Sequence, residues 1–346
     1  MAHPALQEGW IDRPHLCMPL GDLPLESGEL MLDAQVSYVV HGELAAGRPV
    51  VLALSAIGST HHRLDFLIGP GWALDPARVT VIAVDALGNG LSSSPSNSVR
   101  QAGEQFPRFC IRDMVRSQQA LLDRLGVTRL HAVVGASMGG MQALQWAVSE
   151  PTRMDHVVAM TPMARTSAWA QIFNTTSRKV LQAHPGWSRG DPACWEAWVP
   201  LMQMLCSRTP QQWDQALGSA EAVQDEIQSR TLLWQAQGFS PLDWIYQSWA
   251  YDAHDVGNTP GLPGASAMAD LDANTSAALA CVKAKTLILA PPLDLYNPVA
   301  CAQWAASQIT GAQFLEIPSI WGHQSASAGD PGAGEFLNQS IGLFLA

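Results

Sequence analysis

The sequence predicts an α/β fold, a mostly parallel sheet flanked by helices and interrupted by a helical lid insertion. Three observations carry this expectation. Short apolar runs rich in β-branched residues alternate with segments at helical spacing, one run leads straight into a glycine-flanked serine, and between Ala164 and Ala280 the runs give way to tryptophan-studded helical segments.

The strand candidates are residues 50–54, 79–84, 130–134, 157–160 and 286–290, each apolar at nearly every position. A strand exposed on one face would alternate polar and apolar residues, so continuous runs imply a sheet covered on both faces. Residues 313–317 add one more short strand. Ile111, Met114, Val115, Leu121, Leu122 and Leu125 mark one face of a helix, and Gly126 follows where a left-handed cap belongs. In the insertion, Trp169, Trp187, Trp195, Trp198, Trp213, Trp234, Trp244 and Trp249 punctuate helical segments broken at Pro185, Pro192, Pro210 and Pro241. Eight of the thirteen tryptophans thus fall in one third of the chain, either as packing or as the walls of a pocket. Residues 258–265, rich in glycine and proline, read as the exit loop, and the sheet resumes near Lys285. The expected organisation is a first core part over 1–163, the lid over 164–280 and a second core part over 281–346.

Composition narrows the function. The 346 residues are 47% hydrophobic and 14% charged, with a mean hydropathy of +0.05. Disorder is excluded as the main theme. The 19 basic residues against 30 acidic ones leave a net charge of −11, which repels nucleic acid and anionic lipid surfaces. No apolar run reaches the ~18 residues of a membrane helix, and residues 1–10 lack the basic cap and apolar stretch of a secretory signal. Cys17, Cys110, Cys194, Cys206, Cys281 and Cys301 are scattered without a Cys-x-x-Cys pair, which argues against a cysteine zinc site and a disulfide framework. A reduced, cytoplasmic setting is the expectation, with no metal and no organic cofactor.

The chemistry-bearing motif is Gly135-Ala136-Ser137-Met138-Gly139. A buried run ends at Val134, and Gly140, Met141, Ala143, Leu144, Ala147 and Val148 continue as a helix until Pro151. Strand, sharp turn and helix are what a serine nucleophile needs to stand clear of the sheet. A serine hydroxyl attacks only when a base takes its proton, so a histidine and an orienting carboxylate should follow at later strand ends. Asp294 follows one strand and His323 another, at the sheet edge where ligands of open α/β sheets bind. Their order, Ser137, Asp294, His323, is that of an α/β-hydrolase fold. On the bland reading, Asp294 caps a turn and His323 is a loop histidine. The oxyanion that forms on attack needs two backbone donors, one from Met138 and the other from Ala56 or Ile57 in the loop after residues 50–54. His61 and His62 invite a metal reading. Consecutive histidines in an extended segment would point apart, however, and no Asp-His or His-x-x-x-His partner accompanies them, so they read as polar loop residues.

Residues 133–147, with Ile68-Gly69-Pro70-Gly71, Ile111-Arg112-Asp113-Met114-Val115 and Gly322-His323, resemble the homoserine O-acetyltransferase family of α/β-hydrolase-fold proteins. The resemblance runs from about Leu25 to the C-terminus and implies that Ser137, Asp294 and His323 are nucleophile, acid and base. The family also holds plain esterases, and Ser59-Thr60-His61-His62-Arg63, residues 88–97 and residues 317–323 resemble that hydrolytic branch. The acetyltransferases carry an Asp after the catalytic histidine, meeting the substrate ammonium, where this chain has Gln324. Their paired lid tyrosines are also missing, with residues 191–195 in that region. Arg178 keeps the spacing at which acetyltransferases present an arginine to the homoserine carboxylate; it either binds a substrate carboxylate or is an ordinary arginine on a lid helix. Relatives also imply a homodimer through the insertion.

The sequence therefore predicts a carboxylesterase that cleaves a small ester through an acyl-enzyme, with Arg178, Trp321 and Gln324 as candidate substrate contacts. A short acyl chain and an apolar or aromatic alcohol suit the tryptophan content. The rival is an acyl-CoA-dependent O-acyltransferase, which the net charge disfavours because acyl-CoA is itself anionic. A non-catalytic binding protein would be attractive only if one of the three triad residues were missing.

Overall fold

Among the described residues, eight strands form one sheet: β1 (Leu16–Pro24), β2 (Leu30–His41), β3 (Val50–Leu54), β4 (Thr80–Val84), β5 (Leu130–Ala136), β6 (Met154–Met160), β7 (Lys285–Ala290) and β8 (Gln313–Glu316). Their order is β1-β2-β4-β3-β5-β6-β7-β8, with β2 antiparallel to both neighbours and the rest parallel. This computed structural model describes residues 3–262 and 271–346.

The strands read from continuous apolar runs are all present. In β3 and β4 every residue is buried, as a doubly covered sheet requires. The β1–β2 hairpin was not anticipated. Most of β1 is exposed, and its register against β2 shifts at Pro19/Gly21 and again at Gly21/Leu23, which erases the two-residue period.

Helices α1 (Ile111–Arg124), α2 (Met138–Ser149) and α9 (Val299–Gln308) cover one face, burying Met114, Leu122, Met141, Leu144 and Ala305 in the larger core. The other face is covered by α10 (Pro331–Leu345) and a 3-10 turn, His61–Leu67, through Leu64, Leu67, Leu337 and Ile341. Gly126, at φ 72°, ends α1 in the left-handed conformation that glycine adopts without a steric cost.

Between β6 and β7 lie α3 (Ala168–Gln182), α4 (Trp195–Met202), α5 (Pro210–Ala216), α6 (Ala220–Ala236), α7 (Pro241–Asp252) and α8 (Leu271–Ala280). Ser167, Thr209, Ser219 and Ser240 cap α3, α5, α6 and α7, each accepting a backbone N–H. Pro210 and Pro241 stand at the first helical position, where a missing N–H costs nothing, so they start helices rather than break them. Trp195, Trp198, Trp234 and Trp244 pack ring against ring at 4.9–5.1 Å as the centre of this layer. Of the expected exit loop at 258–265, residues 263–265 lie outside the described residues. Among the described residues no helix is long and apolar enough to cross a membrane.

Candidate active site

Strand β5 delivers Ser137 into a turn at φ 58°, ψ −124°, a backbone conformation that costs a non-glycine residue about 1–3 kcal/mol. Its surroundings enforce it. The Ser137 N–H donates to the Met160 carbonyl at 2.9 Å and to Thr161 Oγ1 at 3.2 Å. A Cβ on Gly135 would lie 2.1 Å from the Gly139 carbonyl oxygen, one on Gly139 2.8 Å from that of Leu54, and one on Gly140 2.8 Å from that of Met160. The three glycines are thus dictated by how closely α2 rides over the sheet edge.

Ser137, Asp294 and His323 are brought together from three strand ends, all buried. His323 Nε2 lies 2.7 Å from Ser137 Oγ, and His323 Nδ1 lies 2.7 Å from Asp294 Oδ2. A carboxylate only accepts, so Nδ1 carries the proton of a neutral ring and Nε2 turns its lone pair to the serine. The other Asp294 oxygen accepts from the Tyr296 and Asn297 N–H groups, each at 2.8 Å, which fixes the carboxylate plane. Tyr296 packs edge-on against the His323 ring at 5.1 Å and stacks on Tyr251 at 5.3 Å. Burial pushes both phenols well above their usual range, so they stay neutral donors. Tyr251 donates to Asn297 at 2.6 Å and Tyr296 to Asn174 at 2.7 Å. Nothing in the sequence pattern singled these tyrosines out, because they come from the insertion and from the loop after β7.

The loop after β3 is tied on three sides. Gln142 of α2 donates to the Ser55 carbonyl at 2.9 Å, and Gln247 of α7 accepts from the Gly58 N–H at 3.0 Å. The Ala56 N–H donates to Ser59 Oγ at 2.8 Å. Among the described residues neither the Ile57 nor the Met138 N–H has an acceptor.

A cavity of about 490 Å³ opens over Ser137 and His323. Ala56, Ile57, Trp321 and Gln324 line it from the core, and Met202, Trp234, Phe239 and Trp244 from the insertion. Three arginines, Arg63, Arg208 and Arg230, also face it, so the lining is more polar than the tryptophan content implied. Arg230 pairs with Glu226 at 2.9 Å, and Arg208 sits between Trp213 and Trp321, 4.5 Å and 4.3 Å from their ring centres. Arg63 has no side-chain partner among the described residues, and burial alone lowers its guanidinium to about 10. A larger groove of about 620 Å³ at the opposite end of the parallel strands, lined by Arg48 and His131, holds none of Ser137, Asp294 and His323.

Arg178 is not brought to the cavity. It pairs with Asp252 at 2.7 Å and donates to Ser248 at 3.1 Å and Thr175 at 2.9 Å. The reading of His61 and His62 as extended polar loop residues is also corrected. They open the 3-10 turn, both buried, with His61 Nδ1 3.0 Å from Asp85 Oδ2 and His62 Nδ1 2.6 Å from Asp65 Oδ2. The tight turn brings the two rings to 4.2 Å. Asp85 comes from the end of β4, a contact that local spacing cannot reveal.

Residues 49–324 match the family described as the alpha/beta hydrolase fold. A homoserine O-acetyltransferase of Symbiobacterium thermophilum is 30% identical over 349 residues, covering 89% of this chain and 88% of that protein. A probable esterase of Corynebacterium glutamicum is 27% identical over 348 residues, covering 90% of each. Among solved structures, the acetyl esterase MekB superposes with a TM-score of 0.85 at 27% identity over 96% of each chain.

Proposed function

The chain belongs to the alpha/beta hydrolase fold family, in the group that holds homoserine O-acetyltransferases and esterases, and from this premise we propose that it is a serine carboxylesterase. His323 takes the Ser137 proton as Oγ attacks the ester carbonyl, and Asp294 holds the imidazole in the tautomer that can accept it. The oxyanion is received by the Met138 N–H and, of the two candidates in the β3 loop, by Ile57, since the Ala56 N–H is already committed to Ser59. His323 returns the proton to the leaving alcohol. Water then attacks the acyl-Ser137 ester, again deprotonated by His323, and releases the acid.

The observation that carries the hydrolytic reading is the Arg178–Asp252 pair. The arginine expected to hold a homoserine carboxylate is neutralised inside the insertion, and Gln324 offers no charge for the substrate ammonium. The unpaired Arg63 supports an ester that carries a negative charge away from the scissile bond, because a desolvated guanidinium is stabilised most by a fork-matched carboxylate. The test is hydrolysis of a short-chain aryl ester by wild type and Ser137→Ala. Turnover lost in a folded variant is expected, and full residual activity would overturn the assignment.

A further inference from the structure

Apart from the catalytic site, the structure gathers four imidazoles, of His3, His15, His61 and His62. Six pairwise approaches among His3, His15, His61, His62 and Trp10 fall between 4.2 and 5.6 Å, with Trp10 stacked on His62. The cluster therefore gathers imidazole nitrogens, whose lone pairs are metal donors, at one place.

The carboxylates behind the rings fix where those lone pairs point. Asp85 accepts from His61 Nδ1 and Asp65 from His62 Nδ1, which leaves both Nε2 atoms unprotonated. His62 Nε2 lies 3.1 Å from His3 Nε2. Two nitrogens bound to one tetrahedral ion at ~2.0–2.1 Å stand about 3.3 Å apart, so the observed separation fits a shared ion. One donor atom from each of His3, His61 and His62 lies within 4.8 Å of the others. A carboxylate hydrogen-bonded behind a ligating histidine is the usual support of such sites, and here two of the three rings have one.

We propose that His3, His61 and His62 form a binding site for a zinc-class divalent cation, supported from behind by Asp85 and Asp65. Imidazole donors suit zinc, cobalt or nickel, and magnesium and calcium require oxygen ligands. The bound ion fastens the N-terminal segment beside the catalytic cavity. Gln7, Trp10 and His62 line that cavity, and the Ile11 N–H already donates to Asp65 at 2.8 Å.

The test uses full-length protein freed of any affinity tag and stripped with a chelator. Cobalt(II) titration should give one intense visible spectrum per chain, and zinc should displace it with low-micromolar or tighter affinity. His3→Ala, which changes a partly exposed terminal residue, should weaken zinc binding about 100-fold or more and lose the zinc-dependent rise in Tm. Its metal-free Tm should match wild type, which separates loss of a ligand from loss of fold. Cobalt that retains the spectrum of the free aqua ion, or identical zinc affinity in wild type and His3→Ala, would overturn the site.

Discussion

Asp252 holds Arg178 in an ion pair of 2.7 Å whose side chains are 18% and 11% exposed, and Asn174 donates to the same carboxylate at 2.7 Å. Since Asn174 also accepts from Tyr296, whose ring abuts His323, the pair belongs to the framework behind His323. Removing one partner of a largely buried pair strands the other's charge. Arg178→Ala should therefore lower stability by about 1–3 kcal/mol and reduce kcat/KM by a similar factor for neutral and carboxylate-bearing esters. Chemical denaturation with paired kinetics checks this; a loss confined to carboxylate-bearing esters would return Arg178 to a substrate role.

In the proposed mechanism Asp294 acts through His323 Nδ1, 2.7 Å from its Oδ2. In Asp294→Asn the amide can present a donor to that nitrogen and hold the ring in the wrong tautomer, so kcat should fall about 10³–10⁴-fold with little change in KM. Steady-state kinetics separates this from a binding defect.

Arg63 has an open guanidinium in the cavity wall, and the Arg63→Gln variant keeps length while removing charge. For an ester with a carboxylate on its alcohol portion, kcat/KM should drop about 10–100-fold, the worth of one charge-assisted pair. For the uncharged analogue it should change less than about threefold. Equal effects on both would show Arg63 to be structural.

A pH dependence of stability is expected away from the site. Asp243 is buried on α7, accepts from Ser96 through both oxygens, and is raised by burial to about 7. The folded state therefore binds this proton more tightly than the unfolded chain. The stabilisation is complete below the ordinary carboxylate pKa of about 4 and is lost as pH rises through 7, at most about 4 kcal/mol. Asp243→Asn should flatten the stability profile between these limits, as urea midpoints across pH will show.

The parts legible in the sequence were those with a local signature. Continuous apolar runs mark β3 to β7 because both faces are covered. The elbow around Ser137 is legible because its glycines answer backbone contacts within a few residues and across to β3. Asp294 and His323 are legible because strand ends define the sheet edge. What escaped depends either on distant partners or on the local backbone turn that brings near neighbours into contact. Asp85 and Asp65 turn His61 and His62 into a carboxylate-backed pair, Asp252 withdraws Arg178 from the cavity, and Ser59 occupies the Ala56 N–H. The Asp85 and Asp252 contacts span distant parts of the chain, and the Asp65 and Ser59 contacts, though three residues away, form only because the segment turns tightly instead of running extended.

On the proposed reading, water is the acceptor for an acyl group carried on Ser137. Intact-protein mass, followed while the protein is incubated with an aryl acetate with and without homoserine, separates water from an alcohol acceptor. A single acetyl adduct should form in wild type, be absent in Ser137→Ala, and decay to acetate at a rate homoserine does not change. Decay accelerated by homoserine, with O-acetylhomoserine accumulating, would contradict hydrolysis, and an adduct that persists in Ser137→Ala would contradict the nucleophile itself.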